Sequence, residues 1–122
     1  MFRDFTYIDD VVKIMFQLIN NKPERNDKLT HNYVDPSTSW APYRLFNIGN
    51  GTSIALLDFI NLLEKKLGIK AIKVFEEMQL GDVEKTYADT KSIKSNINVK
   101  PETSLEEGLT KFVNWYKYFY LN

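Results

Sequence analysis

The chain predicts an α/β fold, and three observations carry that reading. Segments of strand composition alternate with helical ones along the chain, capping and turn residues punctuate them, and the apolar content of 43% with 14% aromatics suits one packed domain rather than a disordered chain. Strand, helix, strand, helix, strand, short helix, helix is the alternation expected of a largely parallel arrangement. No strand in it is followed by a glycine-rich phosphate loop.

Phe5 to Ile8 has strand composition and runs into a helix from Val11 to about Asn20, with Asp9 or Asp10 placed to accept from its free N–H groups. That helix is apolar on nearly every side and therefore needs burial all round. Part of its cover is expected from a segment outside these 122 residues. Residues 21–42 are polar and rich in breakers, including Pro23, Pro36 and Pro42, and predict a long surface loop. Trp40 within it needs a pocket or a partner surface.

Tyr43 to Gly49 reads as a second strand, and the turn Asn50-Gly51-Thr52-Ser53 caps a helix from Ile54 to Leu67. Leu56, Ile60, Leu63 and Leu67 form its apolar stripe, and Gly68 supplies the left-handed stop. Ile69 to Phe75 alternates as a third strand, a turn follows at Gly81, and Val83 to Ala88 is extended. Asp89 or Thr90 caps a short helix through Ile97. Ser104 and Glu107 form a capping box at the start of the last helix, whose stripe of Leu105, Leu109, Phe112, Tyr116 and Phe119 is widened by Trp115, Tyr118 and Tyr120.

Sixteen basic and sixteen acidic residues cancel, which leaves no basic footprint for a nucleic-acid backbone. The absence of cysteine excludes disulfides and thiolate metal sites and fits a reducing compartment, so a cytoplasmic location is expected. No export signal is visible, and no apolar run approaches the roughly 18 residues that span a bilayer.

Few polar groups are candidates for chemistry. His31 is the one histidine, so metal and Ser/His/Asp sites have no support, and it reads as a loop residue. Glu76 and Glu77 read as solvated. Arg3, at a strand edge beside a helix start, can bind phosphate or carboxylate in bidentate fashion or pair with Asp4 or Asp9. Asp82 follows Gly81 in a turn with Gln79, where a carboxylate can accept from a ribose diol, although Gly-Asp is also a common structural turn. Tyr87 and Lys91 have the Tyr-x-x-x-Lys spacing of short-chain dehydrogenases but not the long helix that pair requires.

Four blocks, in order, resemble the C-terminal part of extended short-chain dehydrogenase/reductases, and in particular the UDP-glucuronate 4-epimerases. They are Arg3-Asp4-Phe5-Thr6-Tyr7-Ile8-Asp9-Asp10-Val11-Val12, Tyr43-Arg44-Leu45-Phe46-Asn47-Ile48-Gly49-Asn50, Met78-Gln79-Leu80-Gly81-Asp82-Val83 with Ala88-Asp89-Thr90, and Pro101-Glu102-Thr103-Ser104-Leu105-Glu106-Glu107-Gly108. The resemblance implies a C-terminal portion of an extended Rossmann-type fold, without the N-terminal dinucleotide-binding unit. It implies a UDP-sugar ligand, with Arg3 on the diphosphate, Asp82 on the uridine ribose, and Gln79 where many members place a phosphate-binding arginine. Glutamine is usual there in the glucuronate branch, whereas Leu80 replaces that branch's proline.

In the family, NAD takes a hydride from C4 of the sugar with a tyrosine as general base. The NAD loop and the Tyr-x-x-x-Lys pair belong to the N-terminal part, so this chain is expected to hold no catalytic residue, to bind no NAD by itself and to be inactive alone. A separately encoded N-terminal half or self-association is the expected partner, and Met1 reads as an internal methionine of a longer ancestral frame, split or truncated.

Overall fold

A computed structural model describes residues 1–121. Its elements are β1 (Phe2–Asp4), α1 (Ile8–Ile19), β2 (Ser53–Ala55), α2 (Leu56–Leu67), α3 (Lys91–Ile97) and α4 (Leu105–Tyr120). β1 is central. On one side it pairs antiparallel with β2 in the register Phe2 with Ala55, Arg3 with Ile54 and Asp4 with Ser53. On the other, the Phe2 amide donates to Glu84 O at 2.7 Å and the Thr86 amide to Phe2 O at 3.1 Å, a parallel bridge that brings residues 84–86 alongside.

The first strand therefore lies earlier than residues 5–8. Phe5 leaves the ladder to stack on Phe59 of α2, with ring centroids 4.3 Å apart and planes 18° apart. Such a contact exceeds what area alone provides, and the helix starts at Ile8 as soon as the chain is free of it. Its N-cap is Tyr7, with no side-chain cap bond. Asp10 caps something else: its Oδ2 accepts from the amides of Glu102 (3.2 Å) and Thr103 (2.9 Å), which pins the entry of α4 to α1. Buried amides without partners are costly, so a nearly buried carboxylate at this junction has a structural reason.

The two remaining predicted strands do not form. Residues 43–49 hold one isolated bridge, Arg44 to Thr38, and residues 69–75 hold none, leaving Ile72 and Val74 exposed. A strand needs a partner whatever its composition, and among the described residues neither segment finds one. The sheet is accordingly small and antiparallel rather than largely parallel.

Two helix boundaries that rest on local chemistry are as expected, whereas α2 starts at Leu56 rather than Ile54 and without a side-chain cap, because Ser53 to Ala55 pair with β1. Gly68 ends α2 in the left-handed region at φ 77°, and Ser104 Oγ accepts from the Glu107 amide at 3.2 Å. The box is half made, because Glu107 turns instead to Lys111 at 3.0 Å along the helix. α4 packs on α2, and the buried apolar residues are Ile14, Ile93, Leu109 and Val113, the first two fully buried. Gly108 lets α4 approach the start of α1: a Cβ there would meet the Tyr7 ring at 3.1 Å.

α1 is covered on one face only. Ile8, Val12, Met15, Phe16 and Ile19 are exposed, Phe16 by 68% and Ile19 by 78%. The accessible surface is 9802 Å², whereas a compact monomer of 14.3 kDa presents about 6,800 Å². Nearly a third of this surface is thus beyond what a self-contained domain leaves open. No helix among the described residues is long and apolar enough to cross a membrane.

Candidate functional site

Arg3 emerges from β1 towards the turn that carries Asp82. Its Nη2 donates to Asp82 Oδ1 at 3.2 Å, and its Nη1 donates to the carbonyls of Phe2 and Val83, both at 2.8 Å. Neither expected partner, Asp4 or Asp9, is the one it meets. The pairing of β1 with residues 84–86 brings the two together, since Arg3 sits one residue past the bridge and Asp82 three residues before it. The Asp82 side chain remains 41% exposed, so solvent and ligands reach it.

Gln79 shares that turn. Its carbonyl accepts from the Asp82 amide at 3.1 Å, and Gly81 between them holds φ 92°, a conformation that side chains disfavour. Leu80 projects fully into solvent. Arg3, Gln79 and Asp82 thus occupy one edge, two of them in direct contact and the third joined through the backbone.

Asp4 is the polar centre that the sequence did not reveal. Its Oδ1 accepts from the Asn50 amide (3.1 Å) and its Oδ2 from the amides of Gly51 (3.0 Å) and Ala88 (3.1 Å), while its own amide donates to Thr86 Oγ1. One carboxylate therefore ties β1 to the turn before β2 and to the strand behind Asp82. The Ser53 hydroxyl donates to Thr86 O at 2.6 Å and reinforces the same junction. An acid next to an arginine reads as an ion pair in sequence, which hides an acceptor for three backbone donors.

The same contacts test the fit of a dinucleotide. Gly49 and Gly51 form the one Gly-x-Gly sequence in the chain, and a phosphate loop would aim such amides at the ligand. Here the Asn50 and Gly51 amides are occupied by Asp4, and a Cβ on Gly49 would overlap Ala88 Cβ. Gly49 serves close packing and Gly51 the left-handed backbone at φ 70°, and with their amides so engaged the turn does not fit a diphosphate. Tyr87 precedes α3 and Lys91 begins it, so the two do not share a helix. His31 lies in the long loop, and no group of three or more potential metal ligands occurs among the described residues.

A second buried acid holds the segment after α2. Glu64, 5% exposed, accepts from Lys70 (2.8 Å), Lys73 and the Ala71 amide (3.0 Å). The lysine hydrogen bonds, Lys70 first, hold its carboxyl down at about 2. Glu64 is not part of the apolar stripe read from the sequence, and the segment of Lys70, Ala71 and Lys73 that returns to α2 engages it.

The chain as a whole is similar to known proteins. No family model matches the chain. It is 40% identical over 120 residues to Protein CapI of Staphylococcus aureus, covering 98% of this chain and 36% of that protein. It is 38% identical over 117 residues to the probable UDP-glucuronate 4-epimerase of Rhizobium meliloti, covering 95% of this chain and 34% of that one. In structure it matches the UDP-glucuronic acid 4-epimerase of Bacillus cereus solved with UDP-glucuronic acid and NAD, at TM-score 0.69 and 27% identity over 96% of this chain and 32% of that one. The chain spans about a third of the length of the curated relatives it matches. In sequence and in fold it corresponds to a C-terminal part of the NAD-dependent nucleotide-sugar epimerases, with relatives among the UDP-glucuronate 4-epimerases.

Proposed function

We propose that the chain is the nucleotide-sugar-binding part of a UDP-sugar 4-epimerase, with UDP-glucuronate as its sugar nucleotide, and that it serves polysaccharide precursor synthesis in the cytoplasm. The observation that carries this reading is the meeting of Arg3 and Asp82 at one exposed edge. A guanidinium suits a diphosphate and a carboxylate suits a ribose diol. In this account nucleotide binding exchanges their mutual bond for those two contacts, Arg3 turning Nη2 to the diphosphate and Asp82 accepting from the ribose. Gln79, on the same turn, donates its side-chain amide to the phosphates. The Nη1 bonds to Phe2 and Val83 keep the arginine anchored during the exchange.

Hydride transfer needs NAD, and the glycine turn of this chain offers no place for its diphosphate. In this reading the chain alone is inactive and supplies binding to an N-terminal unit that supplies chemistry. Calorimetric titration with UDP tests the reading: one saturable site, lost in Arg3→Gln, supports it, and heat of dilution alone overturns it. C4 epimerisation of UDP-glucuronate by the pure chain with added NAD would contradict the assignment of inactivity.

The open face of α1 favours a second reading, a non-catalytic interaction module that pairs with a separately encoded N-terminal half or with itself. Absence of UDP binding together with concentration-dependent association supports this one.

A further inference from the structure

The long loop does not hang free. It folds back over the ends of α1 and α3 through bonds of its own: the Asn26 amide to Ser39 O at 2.8 Å, Asn26 Nδ2 to Thr38 Oγ1 at 2.9 Å, and the Leu45 amide to Ser37 O at 2.8 Å. Between loop and helices lies a cavity of about 640 Å³, a size typical of small-molecule sites. Arg3, Gln79 and Asp82 are not among its walls.

Charge in this cavity is uneven. Lys22, Arg25, Lys28 and Arg44 line it against Glu24 and Asp35, in a chain that is neutral overall. Asp35 is engaged by the Ser37 hydroxyl (2.7 Å) and amide (3.0 Å), and Arg25 is paired with Asp27. Two helix carboxyl ends face the cavity and oppose an anion. Some of their carbonyls are already supplied, however: Gln17 O accepts from the Asn20 amide and from Asn21 Nδ2 at the end of α1, and Lys94 O accepts from the Asn98 amide at the end of α3. Lys22 and Lys28 form no ion pair among the described residues.

Arg44 is the decisive residue. Its Nη2 donates to Ser92 Oγ at 3.2 Å, its guanidinium lies 5.6 Å from the Phe46 ring centre, and its Nε is buried with no hydrogen-bond partner. A buried guanidinium donor without an acceptor calls for an explanation, and an anion brought against the same guanidinium from the cavity adds to the charge of Asp35, whose carboxyl is held below its usual range by the Ser37 hydrogen bonds and by the charge of Arg44. Phosphate matches the fork geometry of arginine and accepts readily from lysine. Phe46 and Tyr33 add apolar wall for an organic group.

We propose that this cavity is a second binding site, for a small phosphorylated ligand, with Arg44 at its base and Lys22 and Lys28 at its mouth. The test is a titration of the ¹⁵N-labelled 122-residue chain with inorganic phosphate and with pyrophosphate, at ionic strength fixed by KCl. Saturable shifts at Arg25, Lys28, Arg44 and Asn96 are expected, with affinity about tenfold weaker in the Lys22→Ser/Lys28→Ser double variant, as removal of two exposed charges allows. Both lysines are exposed, so that variant keeps its fold. Arg3→Gln should leave these shifts unchanged, which separates this site from the UDP edge. Shifts that KCl alone reproduces, or that the lysine variant retains in full, would overturn the proposal.

Discussion

The Arg3 guanidinium bonds to the Asp82 carboxylate at 3.2 Å across 79 positions of sequence. As a half-exposed ion pair it contributes little to stability, under about 1 kcal/mol; its value lies in placing a donor and an acceptor side by side. Asp82→Ala should therefore leave the urea midpoint nearly unchanged. Arg3→Lys, which replaces a planar fork by a point charge, should weaken UDP about ten- to a hundredfold, the loss of one to two charge-assisted bonds.

Asp4→Asn gives the opposite pattern. An amide cannot accept from Asn50, Gly51 and Ala88 with both terminal atoms, so destabilisation of about 2–4 kcal/mol is expected. Gly49→Ala should cost about 1–3 kcal/mol by overpacking against Ala88. Urea unfolding followed by far-ultraviolet circular dichroism measures both.

Asp10 and Asp9 are adjacent in sequence and separate in role. Asp10→Ala strips the partners from the Glu102 and Thr103 amides and should cost about 2–3 kcal/mol. Asp9 is exposed in the first turn, and Asp9→Ala should cost under about 1 kcal/mol, its share of the helix dipole.

Glu64 makes stability depend on pH at the acid end. Its folded value of about 2 lies below its ordinary 4.5, so its contribution is fully present above 4.5 and is lost as pH falls towards 2. The gap in urea midpoint between the native chain and Glu64→Gln should be widest near neutrality and shrink below pH 4.5. A gap that stays constant from pH 7 to pH 2.5 would remove Glu64 from this role.

The uncovered face of α1 predicts association without a folding penalty. Phe16→Lys with Ile19→Lys should change stability by no more than about 0.5 kcal/mol, as surface substitutions do when the new charges suit the carboxyl end of the helix. Sedimentation velocity at rising concentration should show less self-association for this variant than for the native chain.

Local chemistry was legible in the sequence, and remote chemistry was not. The left-handed stop at Gly68 and the Ser104 cap each depend on residues within a turn or two, and the structure has them, whereas the stripe of Leu56, Ile60, Leu63 and Leu67 is only half-buried and the buried residue of α2 is Glu64. β1 and β2 are three residues each and about fifty apart, too short for periodicity to register. The strands read at 43–49 and 69–75 have the right composition but lack partners among the described residues, and pairing rather than propensity decides. Asp10 reads as a helix cap because nothing nearby announces that residues 102 and 103 return to it. Position alone left Arg3 and Asp82 open between structural and binding roles, and the resemblance assigned them, with Gln79, to the nucleotide; their meeting depends on the bridge between Phe2 and Lys85, which no local pattern records.

The central claim is that this edge holds a nucleotide. Titration of the ¹⁵N-labelled chain with UDP, read at every amide, tests it most directly. Saturable shifts centred on Arg3 and on residues 79–84, abolished by Arg3→Gln and Asp82→Asn, are the predicted result. A spectrum that UDP leaves unmoved at millimolar concentration, or shifts that survive both substitutions, would contradict it.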